Sequence, residues 1–147
     1  LIHIGFVGSS EAHWTQDQKI KAIQKISILL TQYIIKYGKE NIVFVSGGCK
    51  KGGVDIWAEI IAVSLGVKPL IYSPEVDQWD DFNEIIADPY PSPMKRFKGY
   101  KSRNMDIAKT IDILFCIDPK GRGDGGGLWT LNFAKKLGKE VHYVEIN

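Results

Sequence analysis

Residues 42–55 read Ile42-Val43-Phe44-Val45-Ser46-Gly47-Gly48-Cys49-Lys50-Lys51-Gly52-Gly53-Val54-Asp55. A short apolar run gives way to two glycine pairs, and a helical pattern follows at once. A strand without polar alternation is buried on both faces, as strands of a parallel sheet are. Similar turns occur elsewhere in the chain. Ile4-Gly5-Phe6-Val7 runs into Gly8-Ser9-Ser10, and Gly99-Tyr100-Lys101-Ser102-Arg103-Asn104 opens a helix. Asp118-Pro119-Lys120-Gly121-Arg122-Gly123-Asp124-Gly125-Gly126-Gly127 precedes the last helix. In a parallel α/β sheet all such turns lie at the carboxyl ends of the strands, where ligands bind. Helix N-termini offer unpaired N–H groups and partial positive charge there, and glycine lets an anion approach the backbone. A phosphate-bearing small molecule of nucleotide type is the expected ligand.

Outward from these turns, strand and helix alternate along the chain. Strands are expected at 2–7, 42–46, 68–73, 112–117 and 140–145, and helices at 15–37, 54–65, 103–110 and 128–137. In the long helix Ile20, Ile23, Ile26, Leu30 and Ile34 share one face, Thr15 is the N-cap and Gly38 the stop. The expected fold is a Rossmann-like, doubly wound α/β sheet of five parallel strands in the order 3-2-1-4-5, one domain over 1–147. The crossover between strands one and four opens the crevice. Residues 74–98 break this economy with four prolines, Trp79, Phe82, Tyr90 and Phe97. So long a connection reads as a packed lid with one or two helical turns near 79–87, against a plain surface insertion.

Composition sets the outer bounds. The chain has 147 residues, 44% hydrophobic and 24% charged, with a net charge of +2. That charge is too small to point to nucleic acid or a membrane surface. No apolar run approaches the roughly 20 residues a membrane span needs, and no signal-peptide pattern is present. The chain begins at Leu1, so residues can precede it in the natural protein. Cys49 and Cys116 have no zinc-type spacing, and so few cysteines suit a reducing, cytoplasmic setting. Cys116 reads as core and Cys49 as incidental. No metal or cofactor is called for, and the sequence leaves homo-oligomer formation open.

Ser46-Gly47-Gly48 with Gly52-Gly53-Val54-Asp55 and Ala58, then Pro69 and Trp79, resembles the SLOG superfamily of Rossmann-like proteins. So do Gly99 with Arg103-Asn104 and Ile107-Ala108, and Gly125-Gly126-Gly127 with Thr130 and Ala134. That superfamily includes the DNA-processing protein A, the LOG phosphoribohydrolases and small stand-alone domains thought to sense nucleotide-type ligands, which this chain matches best. The resemblance spans residues 2–145 and implies the fold and nucleotide-type binding. LOG enzymes carry proline-glycine-glycine-x-glycine-threonine followed by glutamate, and an arginine-lysine pair in the preceding helix. Here Trp129 stands in place of a glycine, Phe133 in place of the glutamate and Asn104 in place of the lysine. These departures weigh against phosphoribohydrolase activity.

The residues divide the work as follows. Gly8, Ser9 and Ser10 leave the central strand and can present hydroxyls and N–H groups to a phosphate or ribose, against a plain tight turn. His13 and Trp14 can stack on a base or merely pack. Gly47, Gly48, Gly52 and Gly53 form the most phosphate-like turn, an anion nest without the P-loop lysine-serine pattern. Lys50 and Lys51 add charge there. Asp55 caps the helix dipole or binds a ribose hydroxyl. Arg103 is the expected counter-charge, facing Gly125–Gly127 across the phosphate, and Asn104 caps the helix or reads a base edge. Tyr100 and Lys101 are weaker candidates.

Asp118 ends the fourth strand at the crevice. Gly125, Gly126, Gly127 and Thr130 make the second phosphate seat. Trp129 and Phe133 read as core, and His3 and His142 as structural.

Nucleotide binding or sensing without robust catalysis is the leading expectation. The rival is an N-glycosidic hydrolase or transferase, LOG-like or deoxyribosyltransferase-like. It needs a carboxylate beside the anomeric carbon. Glu75 and Asp118 are the catalytic candidates, with Glu11 and Asp124 behind them. Single-stranded DNA binding comes third, on Lys95-Arg96-Phe97-Lys98 alone.

Overall fold

A computed structural model describes residues 1–74, 79 and 99–147. Of the expected lid, only Pro74 and Trp79 fall among them. The helical turns expected near 79–87, with Phe82, Tyr90 and the Lys95–Lys98 run, lie outside the described residues, as does Glu75.

The elements run β1 (Ile2–Gly8), α1 (Gln16–Tyr37), β2 (Ile42–Ser46), α2 (Val54–Ser64), β3 (Lys68–Ile71), α3 (Tyr100–Thr110), β4 (Ile113–Pro119), α4 (Gly126–Lys136) and β5 (Glu140–Ile146). Short 3-10 turns occupy Glu11–His13 and Lys39–Asn41. The five strands form one sheet, ordered β3-β2-β1-β4-β5, with every pair parallel. This is the order expected from the alternation of elements, with β1 central.

Side-chain alternation sends two sets of apolar residues to opposite faces. Ile4, Phe6, Ile42, Phe44, Phe115 and Ile117 meet α1 and α2, where Ala22, Ile26, Leu30, Val54, Trp57 and Ala58 receive them. Val7, Val45, Leu114 and Cys116 meet Ile107, Ala108, Leu131 and Ala134 of α3 and α4. Phe6 stacks on Phe115 at 5.1 Å between ring centroids, which fixes the β1–β4 seam from one side. Cys116 is fully buried, as expected of core.

Thr15 caps α1 in a full capping box. Its hydroxyl accepts from the Gln18 N–H at 3.1 Å, and the Gln18 side chain accepts from the Thr15 N–H at 3.1 Å. Gly38 closes the helix at φ 84°. The buried stripe of α1 runs through Ala22, Ile26 and Leu30, which leaves Ile20 about half exposed and off the core face. The other differences are at the ends. β3 stops at Ile71, while α3 begins at Tyr100 and α4 at Gly126. Starting α3 three residues earlier puts Arg103 one turn inside the helix, within a run from Ser102 to Ala108 that is buried throughout.

At Gly8 the sheet tolerates no side chain. A Cβ there would collide with the Ile117 carbonyl of β4 and lie 2.7 Å from a Val54 methyl. Neither neighbour is the free end of a flexible chain. Gly8→Ala is therefore expected to destabilise the protein by about 1–3 kcal/mol through overpacking, read as a lower urea midpoint.

Candidate functional site

The turns after β1 and β4 and the first turns of α2, α3 and α4 enclose a crevice of about 200 Å³. Of the residues singled out in the sequence, Gly8, Ser9, Ser10, Asp55, Arg103, Asn104, Asp118, Gly125, Gly126, Gly127 and Thr130 line it together. Gly47, Gly48, Gly52 and Gly53 do not. Gly48, Gly52 and Gly53 hold φ of 56°, 75° and 88°, where glycine is favoured, and Gly47, Gly48 and Gly53 also have close neighbours. A Cβ on Gly53 would strike the Ser9 carbonyl, one on Gly47 the Arg103 guanidinium, and one on Gly48 would lie 2.9 Å from Ile71 and Ser73. The β2–α2 turn contributes Cys49, Lys51 and Asp55 to the lining instead.

The turn after β1 is fastened by its own backbone. The Ser9 carbonyl accepts from the Trp14 indole at 3.0 Å and from the Val54 N–H at 3.3 Å. Trp14 thus packs, edge-on to Trp57 at 5.3 Å, while His13 lines the crevice. The Ser9 hydroxyl donates to Asp118 at 2.7 Å.

Asp118 is 3% exposed and is the hub of this edge. Besides Ser9, the Tyr143 hydroxyl donates to it at 3.1 Å and the Cys116 thiol approaches at 3.7 Å. Burial, then the Asp118 charge, pushes the titration of both Tyr143 and Cys116 upward, so both keep their protons at neutral pH. Asp118 is a fixed acceptor, held from β1, β4 and β5. Glu11 and Asp124 lie outside the lining, where Glu11 pairs with Lys19 at 2.7 Å and Asp124 with Arg122 at 3.3 Å.

Arg103 departs from expectation. It is 5% exposed. Its Nη1 donates to the carbonyl of Gly47 and, at 3.4 Å, to that of Tyr72; its Nε donates to the Asn104 Oδ1 at 2.7 Å. Asn104 in turn donates to the Gly126 carbonyl at 3.4 Å, which also accepts from the Thr130 hydroxyl at 2.7 Å. The guanidinium therefore turns to the β2–α2 turn rather than facing Gly125–Gly127, and Asn104 makes the link to α4. Arg103, expected as the counter-charge facing the phosphate seat, is instead buried in α3 and bonded to backbone carbonyls. The Gly47 carbonyl, in a buried place, gains a charged donor by it.

Asp55, 7% exposed, is within the electrostatic reach of the same guanidinium. Desolvation pushes its carboxyl up to about 6, against the opposing pull of Arg103 and of a backbone hydrogen bond with Cys49. Burial likewise pushes the Cys49 thiol up, which keeps it an unreactive thiol.

Two lining residues had no assigned role in the sequence. Trp79 stands beside Gly126 and edge-on to Trp129 at 5.0 Å, with Trp129 stacked on Phe133 at 5.3 Å. Arg122 enters the crevice from the β4–α4 loop. Its signal was legible: an arginine between Gly121 and Gly123, next to the glycine run. Away from the crevice, His3 meets Asp112 at 3.5 Å and His142 meets Glu140 at 3.1 Å. Among the described residues no group of His, Cys, Asp and Glu forms a metal site, and no helix is long and apolar enough to cross a membrane.

Arg103→Ala would leave the buried Gly47 carbonyl without this donor and remove the charge that opposes the desolvation of Asp55. A loss of about 1–3 kcal/mol in the ligand-free protein is expected, with Arg103→Lys recovering only part because an ammonium lacks the fork. The Asp55 titration sets a second expectation. A carboxyl raised from 3.8 to about 6 by folding favours the folded state while it is protonated. That contribution is full below about pH 4 and is lost as pH rises to about 6, a change on the order of 2–3 kcal/mol. In denaturation measured across pH, Asp55→Asn should flatten this slope and leave the curve above pH 7 parallel to the wild type. Among known proteins, no family model and no curated sequence matches this chain.

Proposed function

We propose that the chain binds a phosphorylated small molecule of nucleotide type in this crevice and serves as a binding or sensing domain rather than an enzyme. The observation that carries the reading is how its helices begin. α1, set back from the crevice by a 3-10 turn, is closed by a side-chain capping box. α2, α3 and α4 start on Gly53, Gly99 and Gly125, each without a side-chain cap, although the first N–H of α2 is given to the Ser9 carbonyl. An uncapped N-terminus keeps N–H donors and partial positive charge available to an anion. α4 suits this best, because Gly126 and Gly127 both line the crevice and Gly126 has no neighbour closer than 3.6 Å to a Cβ position.

The rest of the lining fits the remainder of such a ligand. Asp118 offers a fixed acceptor for a sugar hydroxyl, and Ser10 a further polar group. His13 and Trp79 provide flat surfaces for a base. The support for binding over catalysis is the state of the nucleophiles. Cys49 is held as a thiol, the Ser9 hydroxyl is given to Asp118, and Asp118 itself is tied by three donors.

Incubation with nucleoside monophosphates and nicotinamide dinucleotides separates the readings. Thermal stabilisation without release of base or sugar phosphate is the expected outcome. Turnover that disappears in Asp118→Asn while affinity remains would replace this reading with the N-glycosidic enzyme.

A further inference from the structure

We infer that the outer face of the α1–α2 layer binds a second copy of this chain, with α2 packed against its twofold-related partner. Apolar exposure is unevenly shared between the two helical layers. On α1, Ile20, Ile28 and Ile35 are half to four-fifths exposed, and on α2 Ile60 is 63% and Val63 56% exposed. α3 and α4 expose no large apolar side chain within their spans, where Lys109, Asn132, Lys135 and Lys136 face water. The contrast is sharpest on α2. Ile56, Ile60 and Val63 follow the i, i+4, i+7 spacing of one helical stripe, opposite the stripe that buries Val54, Ala58 and Ala62 in the core. The two charged residues of α2 lie elsewhere. Asp55 is buried, Glu59 accepts from the Ser46 hydroxyl at 3.4 Å, and the helix has no lysine or arginine. A helix apolar on both faces belongs in an interior. A single copy of the chain supplies that interior on one face only.

Charge and area both fit a second copy. An isologous contact sets each residue near its own counterpart, so a charge at the centre would meet a like charge. The centre here is uncharged. Gln24 and Thr31 separate the exposed isoleucines of α1, and Ser64 ends the α2 stripe. Charges keep to the rim, where Lys21 pairs with Asp17 at 2.9 Å and Lys36 stands beside His142 of β5. An uncharged centre within a charged rim is the ordinary anatomy of an interface, and isoleucine and valine lose little freedom on packing because they are stiff at χ1. α1 has 22 residues and α2 has 11. At 1.5 Å per residue and about 10 Å per helix width, the layer presents roughly 500 Å² in flat projection. Side-chain relief raises that toward the roughly 800 Å² per partner of a stable interface. The sheet edges offer no easier route. Pro69 removes an N–H from the open edge of β3, and Glu140 and Glu145 guard that of β5.

Sedimentation equilibrium of the full chain tests this. Wild type should be a dimer at about 100 µM, above the micromolar limit of standard-size interfaces. Ile60→Glu and Ile60→Lys should each weaken the dimer by about a hundredfold or more, because like charges then meet across the axis. Both variants should keep the wild-type circular dichroism, since Ile60 lies outside the core. An equimolar mixture of the two should regain the dimer, as carboxylate then faces ammonium. Leu137→Glu, exposed at the end of α4, should leave the dimer intact. A monomeric wild type overturns the proposal, whether another protein or residues 75–98 cover the face. A dimer that survives Ile60→Glu, or one that Leu137→Glu dissociates, overturns it as well. Mixed Glu and Lys variants that stay monomeric overturn the contact of α2 with its own copy.

Discussion

The contact between Arg103 and the Gly47 carbonyl is the constraint on which the ligand edge depends. Three chain segments that have no covalent proximity meet through it: the turn after β2, the start of α3 and, by way of Asn104, the start of α4. A guanidinium suits this place because its planar fork can serve acceptors on different sides without moving. Its charge is matched by Asp55 within the same dry environment. Desolvation works against Asp55, so the pair is better understood as a geometric fastening than as a net source of stability. The width of the crevice follows from that fastening.

A second fastening lies across the β1–β4 seam. Ser9, just after β1, and Tyr143 from β5 both donate to Asp118 on β4, so the end of the central strand and the edge strand are joined across the strand between them. On the same seam Gly127 approaches so closely that a Cβ on it would stand 2.9 Å from the Gly8 backbone. The first turn of α4 is thereby seated against the end of β1. Together the two fastenings hold the crevice between Arg103 on one side and Asp118 on the other. Preorganised polar walls of this kind let a ligand bind with little reordering of the protein.

The fold was legible because its signals are local. Ile42–Ser46 is apolar without alternation, Thr15 and Gln18 spell a capping box, and the right-handed crossover rule turns the sequence of elements into a strand order. The membership of the crevice followed from topology, since every strand-to-helix turn falls on one edge. What each residue does there was not legible. Arg103 reads from its turn as a charge for a ligand, and the carbonyls that claim it come from Gly47 and Tyr72, far away in the chain. The glycines of the β2–α2 turn advertise an anion nest, yet positive φ at Gly48, Gly52 and Gly53 and the closeness of Ser9, Ile71 and Arg103 already call for them. Local pattern cannot separate a glycine that admits a ligand from one that admits a neighbouring backbone.

The central place of β1 also dictates an order of assembly. On one side Ile2 meets Ile42, so β1 and β2 can pair once the chain has been made through Ser46. On the other side the bond between Ser9 and Asp118 spans 109 residues. Closing so long a loop is slow, and until it closes the inner edge of β1 has no partner. On a ribosome that edge waits until β4 has been made. The crevice is thus the last region of the molecule to exist, and a chain truncated before β4 would retain much of the α1–α2 layer while having no site at all.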